Sequence, residues 1–139
     1  MRILGYSFAG IYTSDFEATI KFLTDRLGLP LEWREEDADF AGFRLPSGQL
    51  FEVFGPTSES YAEIKEFYGG VGPANALFVG FEVEDVEAAR EELIEQQGVE
   101  FIHEVRWSDE GDSWAKFRGP EGQLYELWRP AERYRMTQK

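Results

Sequence analysis

The sequence predicts an α+β fold in which one βαβββ unit is written twice, and three observations carry that expectation. First, the run from Phe8 to Ala18 is echoed seventy residues later from Phe78 to Ala88, with Gly10 answered by Gly80 and Asp15 by Asp85. Second, Phe43 to Glu52 returns as Phe117 to Glu126, so that Pro46, Gly48, Gln49 and Leu50 reappear as Pro120, Gly122, Gln123 and Leu124. The offset has grown by four residues, as an insertion in one loop of a repeated unit would require. Third, each copy passes through the same periodicities: a β-rich run, a helical face closed by glycine, then three short strands.

Each element has its own justification. Ile3 to Tyr12 and Ala76 to Val83 are rich in β-branched and aromatic residues and read as the first strands. Ser14 followed by Glu17 has the form of a capping box, and Phe16, Ile20, Leu23 and Leu27 then share one apolar face, which predicts a helix from Asp15 to Leu27 ended by Gly28. In the second copy Asp85 caps, Val86, Ala89 and Leu93 line one face, and Gly98 closes. Strands follow at Leu31–Glu35, Phe40–Arg44 and Leu50–Phe54, and again at Glu100–Trp107, Ser113–Arg118 and Leu124–Trp128. The turns Pro46-Ser47-Gly48 and Pro120-Glu121-Gly122 separate the last two of each set. Between the copies a short helix is expected at Ser58 to Phe67, then a hinge at Gly69-Gly70-Val71-Gly72-Pro73. These elements make one domain over residues 1–139, with module one at 1–56, a linker at 57–74, module two at 75–130 and a polar tail.

Composition narrows the function classes. With 139 residues, 42% hydrophobic and 16% aromatic, the chain has enough apolar material for one packed core without staples. The absence of cysteine excludes disulfides, thiolate metal sites and a cysteine nucleophile. The N-terminal run turns polar too soon for a secretory signal, and no apolar run reaches spanning length, so a cytoplasmic protein is expected. A formal charge of -13 with no dense basic block argues against nucleic acid as a partner, and no membrane contact is expected.

The segment Phe78 to Ala88, followed by Gly119-Pro120-Glu121-Gly122-Gln123-Leu124-Tyr125-Glu126-Leu127, resembles the vicinal oxygen chelate superfamily of glyoxalases, bleomycin resistance proteins and extradiol dioxygenases. The resemblance implies two tandem βαβββ modules whose mixed sheet curls around a cleft, with one helix per module outside. It also implies four metal-ligand positions, two on first strands and two on last strands. The last-strand positions match Glu52 and Glu126, but the first-strand positions, where the family has His or Gln, fall on Phe8 and Phe78. A phenyl ring has no lone pair to donate, so no metal cofactor is expected, the alternative being magnesium or manganese held by the two carboxylates. The single histidine, His103, cannot supply a two-histidine iron site, which disfavours an extradiol dioxygenase.

Strand alternation then assigns the remaining candidates. In Trp114-Ala115-Lys116-Phe117-Arg118, Ala115 and Phe117 share the helix-covered face, so Trp114, Lys116 and Arg118 point the other way, into the cleft. Lys116 is the natural counter-ion for Glu126, or a holder for an acidic ligand group. Phe8, Phe78, Trp114 and Trp128 form an apolar ligand platform, and Gly10 and Gly80 leave room beside it. Glu52 and Glu126 are candidate bases whose burial would favour proton transfer. His103 has no orienting partner in the sequence and is expected to have a structural or surface role. The loop Arg106 to Asp112 is a candidate rim of the cleft.

The function expected is therefore a homodimeric, metal-free binder of a small aromatic or hydrophobic molecule. The alternative is a lyase or isomerase of the glyoxalase type that uses Glu52 and Glu126.

Overall fold

The computed structural model describes residues 1–67, 77–120 and 124–131. The hinge at Gly69 to Pro73, the turn residues Glu121 and Gly122, and the tail from residue 132 lie outside the described residues. The chain divides into two compact units, Phe8 to Leu77 and a second that joins Met1–Ser7 to the residues from Phe78 onward. They are called modules one and two below.

Module one starts in β1 (Gly5–Tyr12), whose residues from Phe8 belong to it. Asp15, held in a non-helical conformation, accepts the Ala18 N–H at 3.1 Å and caps α1 (Phe16–Lys21). The sequence pointed to Ser14 as the cap; the carboxylate one residue later takes the role, while Thr13 and Thr19 share a 2.8 Å hydroxyl contact across the same turn. A second correction concerns length. α1 gives way to a π-helical turn, Phe22–Arg26, closed by Leu27 N–H donating to Phe22 O at 3.2 Å. This wider turn carries Leu27 to 56% exposure, off the buried face formed by Phe16, Ile20 and Leu23. Leu29, whose N–H donates to Leu23 O at 2.9 Å, packs against that core instead.

β2 (Leu31–Arg34), β3 (Phe40–Arg44) and β4 (Leu50–Phe54) complete the module's sheet in the order β2-β3-β4-β1. β3 and β4 run antiparallel, whereas β1 and β4 run parallel. The helix side buries Ala41, Phe43 and Val53 completely beneath Phe16, Ile20 and Leu23. α2 (Glu59–Phe67) follows, close to its expected place, with Ser58 Oγ accepting the Tyr61 N–H at 3.2 Å and Ile64 fully buried. Its Ser60 hydroxyl meets the Tyr12 hydroxyl at 2.8 Å, tying it to β1.

Module two repeats the plan with β5 (Leu77–Glu82), α3 (Val86–Gln97), β6 (Arg106–Trp107), β7 (Ser113–Arg118) and β8 (Leu124–Arg129), in sheet order β5-β8-β7-β6. Asp85 accepts the Ala88 N–H at 3.0 Å, and Gly98 closes α3 at φ 63°, a left-handed conformation that glycine adopts without a Cβ penalty. Val83, Val86, Ala89, Ala115 and Leu127 form the core on the helix side. Farther along that side five rings run from strand to strand, Tyr6, Phe81, Tyr125, Phe117 and Phe101, with successive centroids 5.7, 6.1, 5.5 and 5.1 Å apart.

The strand expected over Glu100 to Trp107 is interrupted. Phe101 bridges Phe117, and pairing resumes only at Arg106 with Trp114, so five residue steps on one side face three on the other. The two extra residues bulge around His103 to Val105.

Candidate functional site

Register defines the side of the module two sheet that faces away from α3. Arg106 lies opposite Trp114, Trp114 opposite Trp128, and Trp128 opposite Glu82, which places these four residues in one row across β6, β7, β8 and β5. Two residues along, the next row holds Lys116, Glu126 and Gly80. A third contains Arg118 and Leu124, and Phe78 shares this side because it stands two residues before Gly80. The sequence-predicted Phe78, Trp114, Lys116, Glu126 and Trp128 thus come together on one surface.

At its centre Lys116 Nζ lies 3.0 Å from Glu126 Oε1, with the two side chains only 3% and 6% exposed. The ammonium also stands 6.0 Å from the centroid of the buried Phe78 ring, at the outer limit of a cation–π contact. Cross-strand opposition puts the two charges within reach, and removal from water makes each need the other. The pair is electrically neutral, which suits its burial beside the Phe78 ring.

His103 supports this pair from the edge. Its Nε2 accepts the Lys116 backbone N–H at 3.3 Å, and its Nδ1 lies 2.6 Å from Glu104 O. The first contact requires an unprotonated Nε2, so Nδ1 carries the proton and donates to the carbonyl. Imidazole therefore stands in for the strand carbonyl that the bulge has moved away. Arg90 holds the bulge from α3, with Nε donating to His103 O at 3.2 Å and Nη1 lying 3.2 Å from Glu104 Oε2. The partner that the sequence did not reveal is the backbone of Lys116.

Arg106 is the residue that sequence reasoning placed where the expected strand Glu100–Trp107 runs into the rim loop Arg106 to Asp112, without assigning it a side. The available signal was alternation carried one strand farther: Trp107 lies opposite Ser113 on the helix side, so Arg106 lies on the side facing away from α3.

In module one, Phe8 is buried opposite Leu50, while Glu52 is half-buried between Gly10 on β1 and Gly42 on β3. The repeat thus places each candidate glutamate beside a glycine, Gly10 for Glu52 and Gly80 for Glu126. The flanking position differs. Where Glu126 faces Lys116, Glu52 faces Gly42, and a β-carbon built on Gly42 would overlap the Trp33 indole. A cavity of about 460 Å³ also opens in module one along Arg34 to Asp39, and none of the candidate residues lines it.

The donor set does not suit the metal that the resemblance implies. Two of the four positions are phenyl rings, and the Glu126 carboxylate is already engaged by an ammonium. Among the described residues no group of three or more His, Asp or Glu side chains is placed to share an ion. Nor is any helix among them long and apolar enough to cross a membrane.

Comparison with known proteins identifies the family. The family model described as the glyoxalase/bleomycin resistance protein/dioxygenase superfamily matches residues 5–127. A Bacillus subtilis relative, the uncharacterized protein YraH, is 30% identical over 123 residues, which cover 86% of this chain and 93% of YraH. Among solved structures, methylmalonyl-CoA epimerase from Mycobacterium tuberculosis is similar with a TM-score of 0.71 and 25% identity, over 96% of this chain and 93% of the other. The hypothetical protein BH1468 from Bacillus halodurans has a TM-score of 0.69 at 21% identity, over 91% and 94% of the two chains, and bears on the fold alone.

Proposed function

The chain belongs to the glyoxalase/bleomycin resistance protein/dioxygenase superfamily, and from that premise we propose that it is a metal-free member that binds a small aromatic or hydrophobic molecule. The observation that carries the reading is the Lys116–Glu126 pair beside Phe78. At the two module two positions where the family places metal ligands, this chain has a ring without lone pairs and a carboxylate already neutralised. What remains is a side of the sheet that combines the rings of Phe78, Trp114 and Trp128 with a few charged groups, and aromatic walls with few placed polar groups are the composition of a small-molecule pocket. Phe78, Trp114 and Trp128 supply ring surface, Lys116 and Glu126 orient a polar end, and Phe8 and Glu52 are the module one counterparts.

The test is a thermal-shift titration of metal-stripped protein with manganese, magnesium, nickel and zinc, then with small aromatic ligands. A ligand that binds only the folded state raises stability by about 2.7 kcal/mol at a hundred times its dissociation constant. The expected result is no response to any metal and a saturable response to an aromatic ligand. A metal-dependent rise that disappears in the Glu52→Gln, Glu126→Gln double variant would overturn the metal-free reading.

One observation favours a second reading, the 25% identity to methylmalonyl-CoA epimerase. Here Glu126 or Glu52 would move a proton beside a substrate carbonyl. Deuterium uptake by methylmalonyl-CoA in heavy water, lost on Glu126→Gln or Glu52→Gln, would support it. Absence of exchange in the parent protein would sink it for that substrate.

A further inference from the structure

Resting on the reading that Lys116 and Glu126 orient a ligand, we infer that Arg90 on α3 is the positioning residue of that pair, acting across the sheet through the ring of His103. The place where it acts is the bulge. Ile102 N–H donates to Lys116 O at 3.0 Å, and a regular antiparallel pair would return the bond from Lys116 N–H to the carbonyl opposite. Here the Lys116 N–H meets His103 Nε2 at 3.3 Å. That contact exists only while the ring keeps its proton on Nδ1, and Nδ1 is held to Glu104 O at 2.6 Å. The backbone position of Lys116, and with it the 3.0 Å reach of Nζ to Glu126, therefore depends on where the bulge holds one imidazole.

A single guanidinium sets the bulge from the helix side. Arg90 Nε donates to His103 O at 3.2 Å, Nη1 lies 3.2 Å from Glu104 Oε2, and Cζ stands 5.3 Å from the centroid of the Phe101 ring. Phe101 bridges Phe117 just before the bulge, so one side chain rests on the anchored end and grips the displaced part. The three contacts are unequal. The Glu104 side chain is 87% exposed, so its ion pair adds little, whereas the Arg90 side chain is 19% exposed and its bond to the His103 carbonyl is partly shielded from water. A planar fork that stacks on a ring while its edge donates is what arginine supplies and lysine does not. Releasing Arg90 frees the His103 carbonyl, lets the ring leave the Lys116 N–H, and lets the imidazole proton occupy either nitrogen.

The experiment is nitrogen NMR of the isotope-labelled full chain at about pH 8.5, above the roughly 6.5 at which a free imidazole titrates. His103 is the one histidine of the chain, so the ring signals belong to it without further assignment. The parent should show the proton on Nδ1 and none on Nε2. Arg90→Met keeps the apolar stem and should mix the two tautomers. It should also speed exchange of the Lys116 amide at least about tenfold relative to the other β7 amides, the fold-change of one lost hydrogen bond. Glu91→Gly, at an exposed position inside α3, weakens the helix without touching the bulge and should leave both readouts at their parent values. A proton on Nε2 in the parent, which needs no variant to observe, would overturn the assignment. So would parent-like signals in Arg90→Met, or a change in Glu91→Gly equal to that in Arg90→Met. None of these readouts requires a ligand, so failure of aromatic binding in the thermal titration overturns the proposed function, whereas these signals judge the Arg90 assignment alone.

Discussion

At the scale of single residues, the Lys116–Glu126 contact makes the sharpest energetic statement, because both side chains are almost wholly removed from water. A buried ion pair is worth little relative to well-packed apolar groups, yet either half left alone is an uncompensated charge. Lys116→Met or Glu126→Leu is therefore expected to cost about 3–5 kcal/mol on its own, and the double variant should return to within about 1 kcal/mol of the parent or exceed it. Urea unfolding of the four proteins measures this cycle; additive losses would mean that the two groups do not depend on each other. His103 belongs to the same local unit. His103→Ala removes the acceptor for the Lys116 N–H and should cost about 1–3 kcal/mol, since the replacement leaves a part-buried donor without that bond.

At the scale of elements, the π-helical turn after α1 separates two leucines that the sequence had placed on one apolar face. Leu23 lies in the core and Leu27 in solvent, so Leu23→Ala should cost about 2–5 kcal/mol while Leu27→Lys should stay within about 0.5 kcal/mol of the parent. Equal losses at both sites, measured by thermal unfolding, would mean that α1 continues as an ordinary helix in solution. The same contrast explains what could be read in advance. The repeat, Asp85 as a cap, Gly98 as a stop and the alternation of Trp114, Lys116 and Arg118 all depend on local spacing, which a sequence displays directly. The π turn, the choice of Asp15 over Ser14 and the bulge at His103 depend on which backbone groups find partners across space. The pairing of Lys116 with Glu126 was legible because charge compensation is a general demand; Arg106 was obscured by its place at the end of an interrupted strand.

At the scale of the whole chain, 27 acidic residues against 14 basic ones make electrostatic self-repulsion a term that no single contact reveals. Salt acts on two opposing effects here. It screens attraction in exposed pairs such as Arg44 with Glu32 at 3.3 Å, which are worth little at the surface, and it screens repulsion summed over the surplus of acids. The Debye length falls from roughly 30 Å at 0.01 M to about 10 Å at 0.1 M, so the long-range repulsion is removed first and the short-range pairs survive longer. The melting temperature should therefore rise with sodium chloride over that range. A gain of about 1 kcal/mol would appear as a rise of roughly 2–8 °C for a chain of this size. The Lys116→Met, Glu126→Leu double variant should show the same salt slope as the parent, because its missing pair is buried and neutral overall. A melting temperature that falls as salt is added would mean that exposed ion pairs, and not the excess of acids, dominate the electrostatics of folding.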